Sequence, residues 1–158
     1  MGRGAAGEGR GGLPSTEAAV VAIREVAGEY GREVTVADDI GTDRVTRRTD
    51  AGVFSVTDAG GGLPHDAFVE LSGSPEVSVQ LYADGDAKFT VDRVVEVHDV
   101  PRDSVPAFLR SLYGGLAHVK GRFFPPGCWL VVPLPGDETY KELIPQGALT
   151  PWLSSRMR

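Results

Sequence analysis

The chain has 158 residues, with 16 Lys or Arg against 22 Asp or Glu, a formal net charge of −6 at pH 7 and a single cysteine. That length suits one ordinary domain whose core needs no staples, and a lone Cys128 excludes an intramolecular disulfide. The acidic balance argues against nonspecific nucleic-acid binding and suits a basic protein partner. No apolar run is long enough to span a bilayer. With a single cysteine and no hydrophobic signal segment at the start, a reducing cytoplasm is the expected setting, and Met1-Gly2-Arg3-Gly4-Ala5-Ala6 has alanine where an N-myristoylation motif wants Ser or Thr, so no lipid anchor is expected.

Residues 1–13 are rich in Gly and Arg and almost free of apolar side chains, which cannot offset the entropy of ordering, so a disordered tail is expected there. From Ser15 or Thr16, either a good N-cap, a helix is expected with Glu17 in its first turn. Val20, Ile23, Val26 or Ala27, and Tyr30 recur at helical spacing up to the stop at Gly31. A short strand over Glu33–Val36 follows, then a polar segment over 38–50 with Arg44, Arg47 and Arg48. A strand over Val53–Thr57 and a loop at Gly60-Gly61-Gly62 complete this part.

Residues 67–91 specify a register as well as strands. Apolar and polar side chains alternate through Val77-Ser78-Val79-Gln80-Leu81-Tyr82 and again through Ala87-Lys88-Phe89-Thr90-Val91. A two-residue Asp84-Gly85 turn would set Leu81 opposite Lys88 and mix core with solvent side chains. A three-residue loop Ala83-Asp84-Gly85, with Gly85 left-handed, instead pairs Leu81 with Ala87, Val79 with Phe89 and Val77 with Val91. The other face then collects Gln80 with Lys88 and Ser78 with Thr90. A loop around Gly73-Ser74-Pro75 extends the meander back, with Leu71 opposite Val77 and Val69 opposite Val79.

Arg93 falls on the apolar parity, so a bulge or a strand end must intervene before Val94-Val95-Glu96-Val97. A second helix is expected from Asp103 or Ser104, with Pro106 in its first turn, Val105, Phe108, Leu109, Leu112 and Tyr113 on one stripe, and Gly114-Gly115 as its end. Trp129–Val132, bounded by Pro125-Pro126-Gly127 and by Pro133 and Pro135, reads as a short buried strand. After Tyr140 the pattern fades. The expected fold is α+β: an antiparallel β-meander sheet with two helices packed on one face, as a single domain over 14–145 followed by a C-terminal tail over 146–158.

Convergent chemistry is sparse in this pattern. His65, His98 and His118 share no short-spacing motif with one another or with Cys128, so no metal is expected. His98-Asp99 and His65-Asp66 are adjacent pairs, and adjacent residues on extended backbone point to opposite sides. Cys128 beside Trp129 fits core packing better than a nucleophile served by His98 or His118. Gly60-Gly61-Gly62 lacks the Lys-Ser/Thr of a phosphate loop, and the serines lack a nucleophile elbow. Lys120 and Arg122 before Phe123-Phe124 form a basic-aromatic patch; its simplest reading is one core and one rim phenylalanine. Arg44, Arg47 and Arg48 read as a solvated loop.

No catalytic residue and no cofactor are therefore expected, and neither nucleic acid nor a membrane is expected as a partner. The expected function is a non-catalytic protein-binding or inhibitory module, in its most concrete form an immunity-type protein that neutralises a basic partner. The rival is a small enzyme or ligand-binding domain with a pocket between sheet and helices. For the binder, the expected partner site is the polar face of the meander: Gln80, Tyr82, Asp84, Asp86 and Lys88, with Tyr82 as the aromatic anchor.

Overall fold

The computed structural model describes residues 12–38, 66–123 and 126–158. The arginines at 44, 47 and 48, the expected strand over Val53–Thr57, the triple glycine, His65 and Phe124 lie outside the described residues, as do residues 1–11. What is described is an α+β fold with an antiparallel five-stranded sheet, a three-stranded sheet and helices of 14, 9 and 5 residues.

Ser15 caps helix α1 (Thr16–Glu29), its hydroxyl accepting from the Ala18 N–H at 3.1 Å and satisfying one of the donors a helix start leaves free. The buried stripe is Ala19, Ile23, Val26 and Ala27, while Val20 is half-buried and Tyr30 lies at the exposed end. Gly31, at φ 67°, turns the chain out of the helix.

Strands β1 (Val34–Asp38), β2 (Ala67–Leu71), β3 (Val77–Leu81), β4 (Asp86–Val91) and β5 (Val95–Pro101) form the larger sheet in sequence order. The register follows the side-chain parity: Leu71 pairs with Val77, Val69 with Val79, Leu81 with Ala87, Val79 with Phe89 and Val77 with Val91. The hairpin loop enforces it. Tyr82 N–H donates to the Asp86 carbonyl at 2.9 Å and Gly85 N–H to the Tyr82 carbonyl at 3.0 Å, leaving Ala83-Asp84-Gly85 as the loop with Gly85 at φ 107°.

The alternation breaks after Val91 because the strand ends. Asp92 and Arg93 take φ of 52° and 64°, the Val94 N–H donates to the Val91 carbonyl at 3.1 Å, and Val91 pairs with Val95. A tight turn therefore carries Arg93 off the apolar face. A bulge does occur further on: Ala87 pairs with Val100 but Phe89 with Val97, so His98 and Asp99 together face Lys88, with Asp99 at φ 59°. Both are exposed, unlike the opposite-sided pair expected of extended backbone, because the extra residue cancels the alternation at that point.

Helix α2 (Val105–Tyr113) follows a single 3₁₀ turn, with Pro106 in its first turn and Val105, Phe108, Leu109 and Leu112 buried. Beyond it the structure holds more than the one strand expected. Strands β6 (His118–Arg122), β7 (Gly127–Pro133) and β8 (Thr139–Ile144) form the three-stranded sheet, with β7 central. Residues 146–158, expected as a tail, contain helix α3 (Pro151–Ser155), capped by the Thr150 hydroxyl accepting from the Leu153 N–H at 3.1 Å. Leu153 is fully buried, which anchors the segment to the core.

One buried cluster joins the apolar face of the five strands with α1, α2, α3 and the inner face of β6–β8. Its centre is Phe89 of β4 stacked on Phe108 of α2, ring centroids 4.0 Å apart, with Tyr140 of β8 tilted against Phe108 at 5.6 Å. Helix α1 packs on α2, β1 and β2, and α2 packs on β7.

Candidate functional site

Sheet parity gives the five strands one surface turned from the core, and the register orders its side chains into rows. Phe68, Gln80 and Lys88 make one row; Glu70, Ser78, Thr90 and Glu96 make the next. The structure thus brings Gln80 and Lys88 together as cross-strand partners, both half-buried. Tyr82, also half-buried, continues this face beyond the end of β3.

The acidic loop beside Tyr82 is held on several sides. Asp66 Oδ1 accepts from the Ala83 N–H at 2.7 Å, Asp84 Oδ1 accepts from the Asp86 N–H at 3.1 Å, and the Arg102 N–H donates to the Gly85 carbonyl at 2.8 Å. The Arg102 guanidinium reaches the Ala83 carbonyl at 3.4 Å and, through its other terminal nitrogen, the Leu13 carbonyl at 3.2 Å. Asp84 and Asp86 themselves remain exposed.

Lys88 lies 4.0 Å from Glu96, and His98 Nε2 lies 3.4 Å from the other Glu96 oxygen. Glu96, on the edge strand β5, thus lies between Lys88 and His98, a charge that sequence reasoning missed. Its position depends on β5 pairing with β4 through a tight turn, and the turn left no composition signal beyond the misplaced Arg93. That arginine sits on Glu76, with Nε to Oε1 at 2.9 Å, and the hydrogen bond raises its guanidinium further above its ordinary range.

The residues of the rival enzyme reading do not share a site in this arrangement. His118 pairs with Val131 and Cys128 with Gly121 and Ile144, so the register puts His118 and Cys128 on opposite faces of the three-stranded sheet. His98 belongs to the other sheet. Cys128 is half-buried against the core and lines two open grooves at the end of the β6–β7 hairpin. One, of about 300 Å³, is bounded by Leu143, Ile144 and Leu149; the other, of about 530 Å³, by Arg122, Phe123, Met157 and Arg158. Among the described residues no three His, Cys, Asp or Glu side chains group as metal ligands, and no helix is long and apolar enough to cross a membrane.

The outer face of β6–β8 is a second distinct surface. Lys120, Trp129 and Leu143 are aligned across the three strands, with Arg122, His118 and Lys141 on the same face. The Arg122 guanidinium carbon lies 5.6 Å and the Lys141 ammonium 5.3 Å from the Trp129 ring centroid. No family model, curated protein or solved structure matches the chain.

Proposed function

We propose that this protein is a non-catalytic binding module that captures a basic protein partner on the outward face of the five-stranded sheet, working in the cytoplasm as a neutralising partner of the immunity type. The observation that carries the reading is the acidic Ala83–Gly85 loop, pinned by Asp66, Asp84 and Arg102 next to a half-buried Tyr82. A surface ordered before the partner arrives loses little further entropy on binding, and an aromatic anchor flanked by hydrogen-bonding side chains is the usual composition of an interface hot region. Gln80 and Lys88 supply the flanking polar groups, while Asp84 and Asp86 attract positive charge.

The test is capture of a partner from the native host, followed by titration of the purified pair. Tyr82→Ala is expected to weaken that complex by about 2 kcal/mol or more with an unchanged melting temperature. Neutralising Asp84 and Asp86 is expected to slow association chiefly at low salt. An unaltered affinity of the Tyr82→Ala protein for the captured partner refutes this face as the site.

A further inference from the structure

The chain is acidic overall, at −6, yet its charges are not mixed evenly. Of its three lysines, Lys120 and Lys141 both lie on the outer face of the three-stranded sheet, beside Arg122 and His118. The register puts no carboxylate on that face: the one acidic residue of these strands, Glu142, pairs with Leu130 and so has the opposite parity. Lys120, Arg122 and Lys141 are exposed, and none forms an ion pair among the described residues. Trp129 sits in the middle, with cations at 5.6 and 5.3 Å from its ring centroid, and Phe123, 97% exposed, projects at the hairpin end.

We propose that this face binds single-stranded nucleic acid. Cations free of carboxylate partners around a half-buried tryptophan, with an exposed phenylalanine at the hairpin end, are what a strand of phosphates and bases needs: the cations neutralise the backbone and the rings offer stacking planes of no sequence preference. Lys120 and Arg122 stand two residues apart on one strand, about 7 Å along it, close to the spacing of successive phosphates on an extended single strand. The net charge does not forbid this. Beyond about 8–10 Å at physiological salt the acidic remainder of the molecule is largely screened, so the local cluster decides the contact. Binding is modest in strength and steeply salt-dependent.

The experiment uses the full chain with fluorescently labelled oligothymidylate and oligouridylate of about a dozen nucleotides, titrated by anisotropy over a range of salt concentrations. Three or four phosphate contacts predict a slope of log K against log salt of about −2 to −3, at about 0.7 per contact for single strands. Lys120→Gln combined with Lys141→Gln is expected to reduce the slope by about 1.4 and weaken low-salt binding about tenfold. Trp129→Leu is expected to weaken binding about fivefold or more and leave the slope unchanged. Should that variant fold poorly, Trp152→Phe leaves Trp129 as the sole tryptophan, whose fluorescence is expected to fall as the oligonucleotide is added. Each of the following overturns the proposal: no binding at low salt; equal binding of polyglutamate, which assigns the face to acidic chains in general; tighter binding of a duplex; affinity unmoved by the lysine variants but lost with Arg3 and Arg10; or lysine variants whose only effect is to abolish self-association.

Discussion

Phe89 is among the largest fully buried side chains, and its neighbour gives the contrast that tests the face assignment. It is fully buried and stacked on Phe108 at 4.0 Å, so Phe89→Ala is expected to destabilise by about 3–5 kcal/mol through lost burial and a residual cavity. Lys88, one residue earlier, is half-buried on the opposite face, and its one ion pair among the described residues is a 4.0 Å contact with the exposed Glu96, so Lys88→Ala is expected to change stability by less than about 0.5 kcal/mol. Equal effects in denaturant melts contradict the assignment of faces. Tyr113 offers a different kind of test. Its hydroxyl is buried with no hydrogen-bond partner among the described residues, and burial pushes its pKa up to about 12, against the opposing pull of the Arg32 guanidinium over its ring at 4.7 Å. The folded chain therefore keeps a proton that the unfolded chain releases near pH 10, so the contribution of Tyr113 to stability is constant below about pH 10 and falls between there and about 12. Tyr113→Phe removes this share of the alkaline loss and relieves an unsatisfied polar group, a gain of up to about 1 kcal/mol near neutral pH. Urea melts across pH 7–12 check both. A residual slope is expected from Tyr140, whose pKa burial also raises.

At the scale of elements, two glycines in different backbone conformations predict opposite responses to the same substitution. Gly28 lies inside α1 with no atom within 4 Å of an added methyl, so Gly28→Ala is expected to stabilise by about 0.5–1 kcal/mol through helix propensity. Gly85 meets only Arg102 at 4.0 Å, so space is not its constraint; its φ of 107° is. Gly85→Ala is expected to cost about 1 kcal/mol or more and to loosen the acidic loop, which thermal melts and amide exchange at Ala83–Asp86 can read. That loop is also the reason the meander was legible in sequence. With a side-chain period of two, only one loop length puts Val79 opposite Phe89, so residue identity alone determined the pairing. Strands β6 and β8 carried no comparable pattern. In β6 only Val119 is buried, and in β8 only Ile144, because each strand has exposed side chains on its outer face and few core contacts on its inner one. The outer basic face was half-legible for the same reason: Lys120 and Arg122 stand two residues apart in sequence, whereas Trp129 and Lys141 join them only through pairing.

Over the whole molecule, the two sheets share a single core and are also tied by the C-terminal segment. Asp92, in the β4–β5 turn, accepts from the Glu76 N–H at 3.0 Å and from the Thr150 hydroxyl at 2.5 Å, linking the larger sheet to the cap of α3. After α3 the chain runs beside β6: Val119 N–H donates to the Arg156 carbonyl at 2.9 Å and Arg158 N–H to the Val119 carbonyl at 3.0 Å. Those bonds cover an edge of the smaller sheet that would otherwise present unpaired backbone groups. Because Leu153 sits in the same buried cluster as Phe89, the sheets are expected to melt together rather than in turn. Leu153→Ala should cost about 2–5 kcal/mol, as a large-to-small change at a fully buried site does. More telling is the form of the transition. Trp129 on β7 and Trp152 on α3 report on the smaller sheet and the C-terminal helix, while far-ultraviolet circular dichroism averages over all elements. In the parent, Phe89→Ala and Leu153→Ala chains, tryptophan fluorescence and circular dichroism are expected to give coincident midpoints, both shifted in each variant. If Leu153→Ala shifts the fluorescence midpoint while the circular dichroism midpoint stays with the parent, the smaller sheet unfolds independently and the shared core does not couple the two.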